Sequence, residues 1–173
     1  VLPETLEYVD DNAFNSCQEL VINAQTPTFT KYSFYYCEPT SITSPAYSAD
    51  IVKTMQRLQP GTLTLTITSG SISESLLSGT AALKEVIIKS KVTAIQRSAF
   101  NGCDYLTKVT IEEGIQEVGN YAFANSGIEE ITLPKSVIHF GSYIFYNCKS
   151  LVSATLSEGA LVMAEMFKGC TAL

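Results

Sequence analysis

One short pattern recurs along the whole chain at almost constant spacing, and it strongly limits the folds that are available. A Phe, replaced once by Leu77, is followed three residues later by Cys, Ser or Thr. The copies lie at residues 13–17, 33–37, 76–80, 99–103, 122–126, 144–148 and 166–170. In the last four copies the Phe anchors are 23, 22 and 22 residues apart. Such a period is typical of solenoids, in which each repeat forms one layer of a stack.

A strand pattern follows the anchors. Leu106, Val109 and Ile111 are apolar, and the alternation at the last two is the period-two mark of a strand with one buried face. The pattern recurs at residues 83–88, 151–156 and, after a one-residue deletion, 128–133. One layer alone cannot bury these residues, but stacked layers bury them in continuous columns of Phe, Leu/Ile and Cys. The strands then form a parallel sheet along one face.

The regular pattern is interrupted between Phe34 and Leu77, which are 43 residues apart, or about two periods. The segment Ser48–Leu58 predicts a helix, because it starts with a potential N-cap, repeats apolar residues on one helical face and ends before Pro60. We therefore describe a single domain, 1–173, with N-terminal repeats at 1–37, an irregular or inserted, partly helical repeat at 38–62 and regular repeats at 63–173.

Composition excludes several classes of partner. Hydrophobic residues make up 46% of the chain, which is enough for a sizeable core, but no stretch approaches 18 uninterrupted apolar residues. We therefore expect no insertion into a membrane. The net charge is −6 and the 11 Lys and Arg residues are scattered, so a nucleic acid is not an expected partner. The first ten residues lack the pattern of a signal peptide.

Catalytic patterns are not found in the sequence. It contains no G-x-S-x-G, H-E-x-x-H, P-loop or G-x-G-x-x-G motif. The single histidine, His139, is interpreted as a solvated or locally hydrogen-bonded loop residue. The adjacent pairs Glu112-Glu113 and Glu129-Glu130 would point to opposite faces of a strand, which does not suit paired acid–base work. The sequence predicts no enzyme activity, no catalytic residue, no cofactor and no metal site.

The five cysteines share one position of the repeat: Cys17, Cys37, Cys103, Cys148 and Cys170. Such a column suits small buried apolar side chains, and it lacks the convergence and the C-x-x-C spacing of a metal site. A disulfide between neighbours, Cys17–Cys37 or Cys148–Cys170, is sterically possible because adjacent layers lie within reach. Of these alternatives we predict reduced thiols.

The repeat pattern consists of a strand, then apolar-x-x-Ile-Gly, then Ala-Phe-x-x-Cys-x-x-Leu. This order resembles the BspA-type leucine-rich repeat family, closely over residues 83–173, partly over 1–37 and not over 38–82. The resemblance implies a leucine-rich-repeat solenoid of stacked repeats of about 22–23 residues. A parallel β-sheet would form one face, and irregular or short-helical returns the other. The family also implies a secreted or surface-displayed protein, mostly bacterial, that is involved in adhesion and shares no catalytic motif.

The outward residues of the strands form stripes across the expected sheet. We predict a partner-binding strand face made of Glu85, Ile87, Lys108, Thr110, Glu130, Thr132, Ser153 and Thr155. These residues would also be explained by cross-strand pairing alone. A second suggestive group is the set of tyrosines Tyr32, Tyr35, Tyr36 and Tyr47, since tyrosine is enriched at interfaces but also packs solenoid edges.

Two functions remain open at this point. The first is a binding or adhesion module, extracellular or at the cell surface, whose partner is a host extracellular or cell-surface protein. The second is a structural spacer or scaffold segment of a larger surface repeat protein. An enzyme acting on polysaccharide is disfavoured, because no converging group of catalytic residues is visible.

Overall fold

The computed structural model describes residues 1–23, 28–30, 32–34, 36–46, 49, 51–52 and 58–173, and these wind into a parallel β-solenoid. The described residues form eleven strands: β1 (Tyr8–Val9), β2 (Glu19–Val21), β3 (Thr28–Phe29), β4 (Ser41–Ser44), β5 (Leu63–Ile72), β6 (Leu83–Ile95), β7 (Lys108–Ile111), β8 (Glu117–Val118), β9 (Glu130–Thr132), β10 (His139–Phe140) and β11 (Ser153–Thr155). The predicted solenoid with a parallel sheet is confirmed.

The main sheet contains one strand from each successive layer, in the order β11-β9-β7-β6-β5-β4-β2. Because its pairings are all parallel, residues at the same repeat position stack on one another. Strand β4 comes from the segment 38–62 and pairs with β2 on one side and β5 on the other, so this segment contributes a layer in register. The helix predicted over Ser48–Leu58 lies largely outside the described residues.

A second wall of short strands backs the main sheet. The last residues of β6 pair with β8, and β8 pairs with β10. Near the N-terminus β1 pairs with β3. Strands β5 and β6 are long because each continues from the main sheet into this second wall, with bulges where the chain bends. The returns predicted as irregular or short helical are therefore partly short strands.

The anchor turns have a fixed backbone geometry. Phe123 is flanked two residues before and two after by Tyr121 and Asn125, whose φ angles are 57° and 54°. These two residues have left-handed backbone conformations, and each changes the direction of the chain within the turn. The side chain of Phe123 between them then points into the core. The N–H of Phe123 then donates to the carbonyl of Ile144 in the next layer, at 3.0 Å. The turn thereby satisfies its own backbone and joins two layers.

The anchors form the centre of the core. The rings of Phe100 and Phe123 stack with centroids 5.3 Å apart, and those of Phe123 and Phe145 with centroids 5.7 Å apart. All three side chains are fully buried. Phe167 continues the stack, and Phe14 and Phe34 form a similar pair at the N-terminal end. The predicted Phe column is confirmed, and Leu77 fills the anchor position of its own layer as a fully buried side chain.

The column of small side chains beside the anchors is also buried, as predicted. Cys103 and Cys148 are fully buried, and the same position holds buried Thr80 and Ser126 in other layers. The thiol of Cys103 donates to the carbonyl of Leu77 at 3.2 Å, and that of Cys148 to the carbonyl of Phe123 at 3.0 Å. The thiols therefore connect each layer to the anchor turn of the layer before it.

The prediction of reduced thiols is wrong for the first two cysteines. Cys17 and Cys37 form a disulfide between adjacent layers, with Cα atoms 5.1 Å apart. This distance lies within the range that a disulfide needs. The two cysteines occupy equivalent positions 20 residues apart in adjacent layers. Cys103, Cys148 and Cys170 carry thiols.

Candidate functional site

The structure brings the eight predicted strand-face residues together on the outer surface of β6, β7, β9 and β11. The pairing register aligns Glu85, Lys108, Glu130 and Ser153 in a first row. It pairs Ile87 with Thr110 and Thr132 with Thr155, and these two pairs make up the second row at the equivalent repeat position. The residues of β7, β9 and β11 are exposed, and those of β6 are half-buried. The alignment of the rows agrees with the sequence, while their role in binding remains a prediction.

Both rows extend further towards the N-terminus than the sequence suggested. The register places Glu19, Ser41 and Thr64 in line with the first row, and Val21, Thr43 and Thr66 in line with the second. The second row thus consists of β-branched side chains throughout, most of them threonines. A signal was present in the alternation of Thr with Leu or Ile over residues 63–68, which marks one buried and one outward face.

The charges of the first row are only partly neutralised. Lys108 Nζ lies 2.8 Å from Glu85 Oε1. In the described part of the chain, the ion pairs do not include Glu130, which lies on the other side of Lys108 in the register. The exposed carboxylate of Glu130 is therefore available to a cation or an N–H donor from outside.

A groove opens on this face between β7 and β9. Their described residues pair at one position, Lys108 with Glu130, whereas β6 and β7 pair at four positions and β9 and β11 at three. A shallow groove of about 270 Å³ lies along these two strands. Its lining includes Lys108, Thr110, Glu130 and Thr132, all members of the predicted face. The groove offers an ammonium group, a carboxylate and two hydroxyls within one small area.

A shortened repeat in the sequence corresponds to this groove. The segment that leads into β9 is one residue shorter than its equivalents, with the deletion just before Ile128. There the chain passes so close to the previous layer that a Cβ on Gly127 would lie 2.2 Å from the carbonyl oxygen of Asp104. The shorter connection and this tight approach accompany the incomplete pairing of β7 and β9.

A second polar groove of about 310 Å³ adjoins the same layers at the edge of the strand face. It includes Asn125 and Asn147, which belong to a ladder of side-chain amides across three layers. Asn125 Nδ2 donates to Asn101 Oδ1 at 2.9 Å, and Asn147 Nδ2 donates to Asn125 Oδ1 at 3.0 Å. This ladder was missed in the sequence, although Asn125 and Asn147 both follow their Phe by two residues, a left-handed turn position to which Asn is suited.

The acidic pair at the end of β7 stabilises turns. The pKa of Glu112 is lowered by its hydrogen bonds with Lys89 Nζ (2.6 Å) and with the N–H of Ser90 (3.0 Å). The pKa of Glu113 is lowered because its carboxylate accepts the N–H groups of Ser136 (3.0 Å) and Lys135 (3.2 Å) in the next layer. Both carboxylates are held ionised by their hydrogen-bond partners in the adjacent layers.

Glu113→Gln is expected to destabilise the fold at neutral pH, because the charged acceptor of two turn N–H groups is lost. Because the pKa of Glu113 is lower in the folded than in the unfolded state, its ionised carboxylate stabilises the fold at pH values above the unfolded-state pKa. This stabilisation is lost as the pH falls through the folded-state pKa. The difference between the variant and the wild type should therefore narrow on acidification. Thermal melting from neutral to acidic pH tests this, with Glu117→Gln as an exposed control. A difference that is independent of pH would contradict this role for Glu113.

Other groups considered in the sequence do not converge. His139 is exposed on β10 in register with Glu117, so it lies in a strand rather than in a loop. Within the described residues there is no group of three or more His, Cys, Asp or Glu side chains that could hold a metal ion. The same residues include no helix long and apolar enough to cross a membrane. Tyr32 and Tyr36 are exposed, and Tyr35 and Tyr47 lie outside the described residues.

The family model of the BspA type leucine-rich repeat region matches the chain in 6 copies, over residues 1–56 and 70–173. The chain belongs to this family. Its repeats include the strands of the candidate face and the anchor turns behind them. No curated protein matches the chain significantly.

Two solved structures resemble this leucine-rich repeat chain. A leucine-rich repeat protein from Bacteroides ovatus ATCC 8483 is 20% identical with a TM-score of 0.56, over 96% of this chain and 33% of that one. The T. pallidum leucine-rich repeat protein is 22% identical with a TM-score of 0.50, over 64% of this chain and 66% of that one. At these identities the likeness shows the fold alone. The chain spans about a third of the length of the Bacteroides protein.

Proposed function

We propose that this chain is a non-catalytic protein-binding and adhesion module of a secreted or cell-surface leucine-rich repeat protein. Its partner is a host extracellular or cell-surface protein, bound at the exposed strand face. The observation that carries the proposal is the groove between β7 and β9, where Lys108, Thr110, Glu130 and Thr132 converge. Solenoids commonly bind partners on such extended surfaces.

The chemistry of the groove suits a polypeptide surface. Lys108 and Glu130 present opposite charges side by side, and Thr110 and Thr132 add hydroxyls that both donate and accept. A partner with a complementary pair of charges would be oriented on the face, since such complementarity gives specificity more than raw affinity. The rows on either side extend the contact area beyond the groove.

The disulfide between Cys17 and Cys37 supports a location outside the cytoplasm. Disulfides form and persist in oxidising compartments and are rare where cellular thiols keep cysteines reduced. A secreted or surface-displayed protein would meet that condition. The bond also joins two adjacent layers of the module covalently.

A structural spacer within a larger surface repeat protein is the second candidate function. It is favoured by the ion pairs Lys108–Glu85 and Lys89–Glu112, which satisfy much of the charge on the face inside the molecule. It is also favoured by coverage, because the chain aligns with about a third of the Bacteroides protein. In this case the strand face would bind nothing and would only keep the layers in register.

A binding measurement with matched charge-reversal variants distinguishes the adhesion module from the spacer. The folded protein is passed over immobilised extracellular matrix proteins, with heat-unfolded protein as the reference. For a partner that binds, Glu130→Lys is expected to weaken binding at least about tenfold, because it replaces the available carboxylate of the groove with a like charge beside Lys108. Glu117→Lys makes the same change on β8 in the second wall and should bind like the wild type.

Either of two results would overturn the adhesion proposal for this face. Normal binding by folded Glu130→Lys would move the contact elsewhere on the molecule. The absence of saturable, fold-dependent binding across the panel would favour the spacer function. Thermal melting of both variants shows whether a loss of binding reflects the surface or the fold.

A further inference from the structure

The C-terminal end of the small-residue column repeats the arrangement of its N-terminal end. Cys148 and Cys170 each follow their Phe anchor by three residues and are one layer apart, as are Cys17 and Cys37. Their layers are stacked in the same way, with ring centroids 5.5 Å apart for Phe145 and Phe167. The corresponding distance for Phe14 and Phe34, beside the existing disulfide, is 4.9 Å.

Two side chains at neighbouring positions of this column are in contact. Ser126 Oγ lies 3.4 Å from Cys148 Sγ, although the two residues belong to adjacent layers. Cys148 and Cys170 donate to carbonyls in an equivalent way, to Phe123 and Phe145, each at 3.0 Å. Since both thiols have the same orientation in consecutive layers, their sulfur atoms are neighbours along the column.

The exposure of the two thiols also repeats the N-terminal pattern. Cys37 and Cys148 are buried, whereas Cys17 and Cys170 are half-buried. Burial raises the pKa of both the Cys148 and the Cys170 thiol. The pair is therefore held as thiols until an oxidant reaches the accessible sulfur of Cys170.

We propose that Cys148 and Cys170 form a second disulfide in the presence of a low-molecular-weight disulfide such as oxidised glutathione. The thiolate of Cys170 attacks the oxidant, forms a mixed disulfide and releases one glutathione. The thiolate of Cys148 then attacks the sulfur of Cys170 and releases the second glutathione. Two protein thiols are oxidised and one glutathione disulfide is reduced to two thiols, and the protons of the cysteines pass to the released glutathione.

Cys103 provides an internal control for this proposal. It occupies the same column, but the equivalent residues in the adjacent layers are Thr80 and Ser126, which cannot form a disulfide. The second bond would cross-link the last two layers to one another, as the first does near the N-terminus.

The test equilibrates the full chain in a glutathione redox buffer, blocks remaining thiols by alkylation under denaturing conditions and identifies peptides by mass spectrometry. We expect one alkylated cysteine, Cys103, and a linked peptide pair containing Cys148 and Cys170. The Cys170→Ser variant should retain alkylatable Cys148 and Cys103. Because Cys170 is half-buried, this substitution is expected to leave the fold intact, and thermal melting checks that.

Other outcomes would overturn the proposal. Three alkylated cysteines after equilibration would show that the pair does not form. A stable glutathione adduct on Cys170 without the linked peptide would show that Cys148 cannot reach it. A linked peptide between Cys103 and another cysteine would show that the column does not determine the pairing.

Discussion

Phe123→Ala is expected to lower the free energy of unfolding by about 3–5 kcal/mol, as measured by denaturant unfolding. Phe123 is fully buried and stacks on Phe100 and Phe145 at once, with centroid distances of 5.3 and 5.7 Å. Removing its ring deletes contacts with two layers and leaves a cavity in a column that cannot collapse without separating them. The layers are held at a fixed spacing by strand pairing on both sides.

Phe167→Ala is the matched control for this substitution. Phe167 belongs to the same column but is only half-buried, and its ring stacks on Phe145. Its loss should therefore reduce stability clearly less than the loss of Phe123. Equal effects at the two positions, or a loss under about 1 kcal/mol for Phe123, would contradict a core built on the anchor column.

Gly114→Ala is expected to destabilise the protein by about 2–6 kcal/mol, the sum of backbone strain and forced displacement of neighbouring atoms. Gly114 has a φ of 137°, which an L side chain rarely adopts. An added Cβ would also lie 2.1 Å from the carbonyl oxygen of Ser90 in the previous layer. The backbone of Ser90 cannot move aside as a flexible side chain would. Either the two layers separate, or the turn after β7 adopts a different conformation.

Gly159→Ala separates the two contributions. Gly159 stands at the end of a later layer with a φ of 79°, and an added Cβ there meets nothing within 4 Å. This variant should show only the backbone strain, about 1–3 kcal/mol. Chemical denaturation of both variants gives the comparison. A Gly114→Ala variant no less stable than Gly159→Ala would mean that the close approach to Ser90 is easily relieved.

The period of the repeat was sufficient to predict the columns and the rows. Once Phe100, Phe123 and Phe145 recur at the same position, stacking puts them in one column whatever the details of the turn. The alignment of Glu85, Lys108, Glu130 and Ser153 followed from the same reasoning, because parallel strands in register place equivalent residues side by side.

Features that depend on small shifts in distance were not predicted. The groove between β7 and β9 accompanies a repeat one residue short, whose effect on pairing depends on how closely Gly127 approaches the previous layer. The disulfide was not predicted, because the sequence spacing of Cys17 and Cys37 is compatible with two thiols as well as with a bond between them. The second wall was missed because strands as short as β8 and β10 carry too few residues to show a period.

The two long strands at the middle of the stack influence how the solenoid opens. Leu63–Ile72 and Leu83–Ile95 pair with each other on both sides of the bend, so the main sheet and the second wall are joined there by one pair of strands whose ladder is interrupted by bulges. Towards either end, the layers are joined by strands of two to four residues. Amide hydrogens in β5 and β6 are consequently expected to exchange with solvent later than those of the short strands, because their pairing joins the main sheet to the second wall. This expected protection lies next to the groove, so the candidate binding face would have a rigid support.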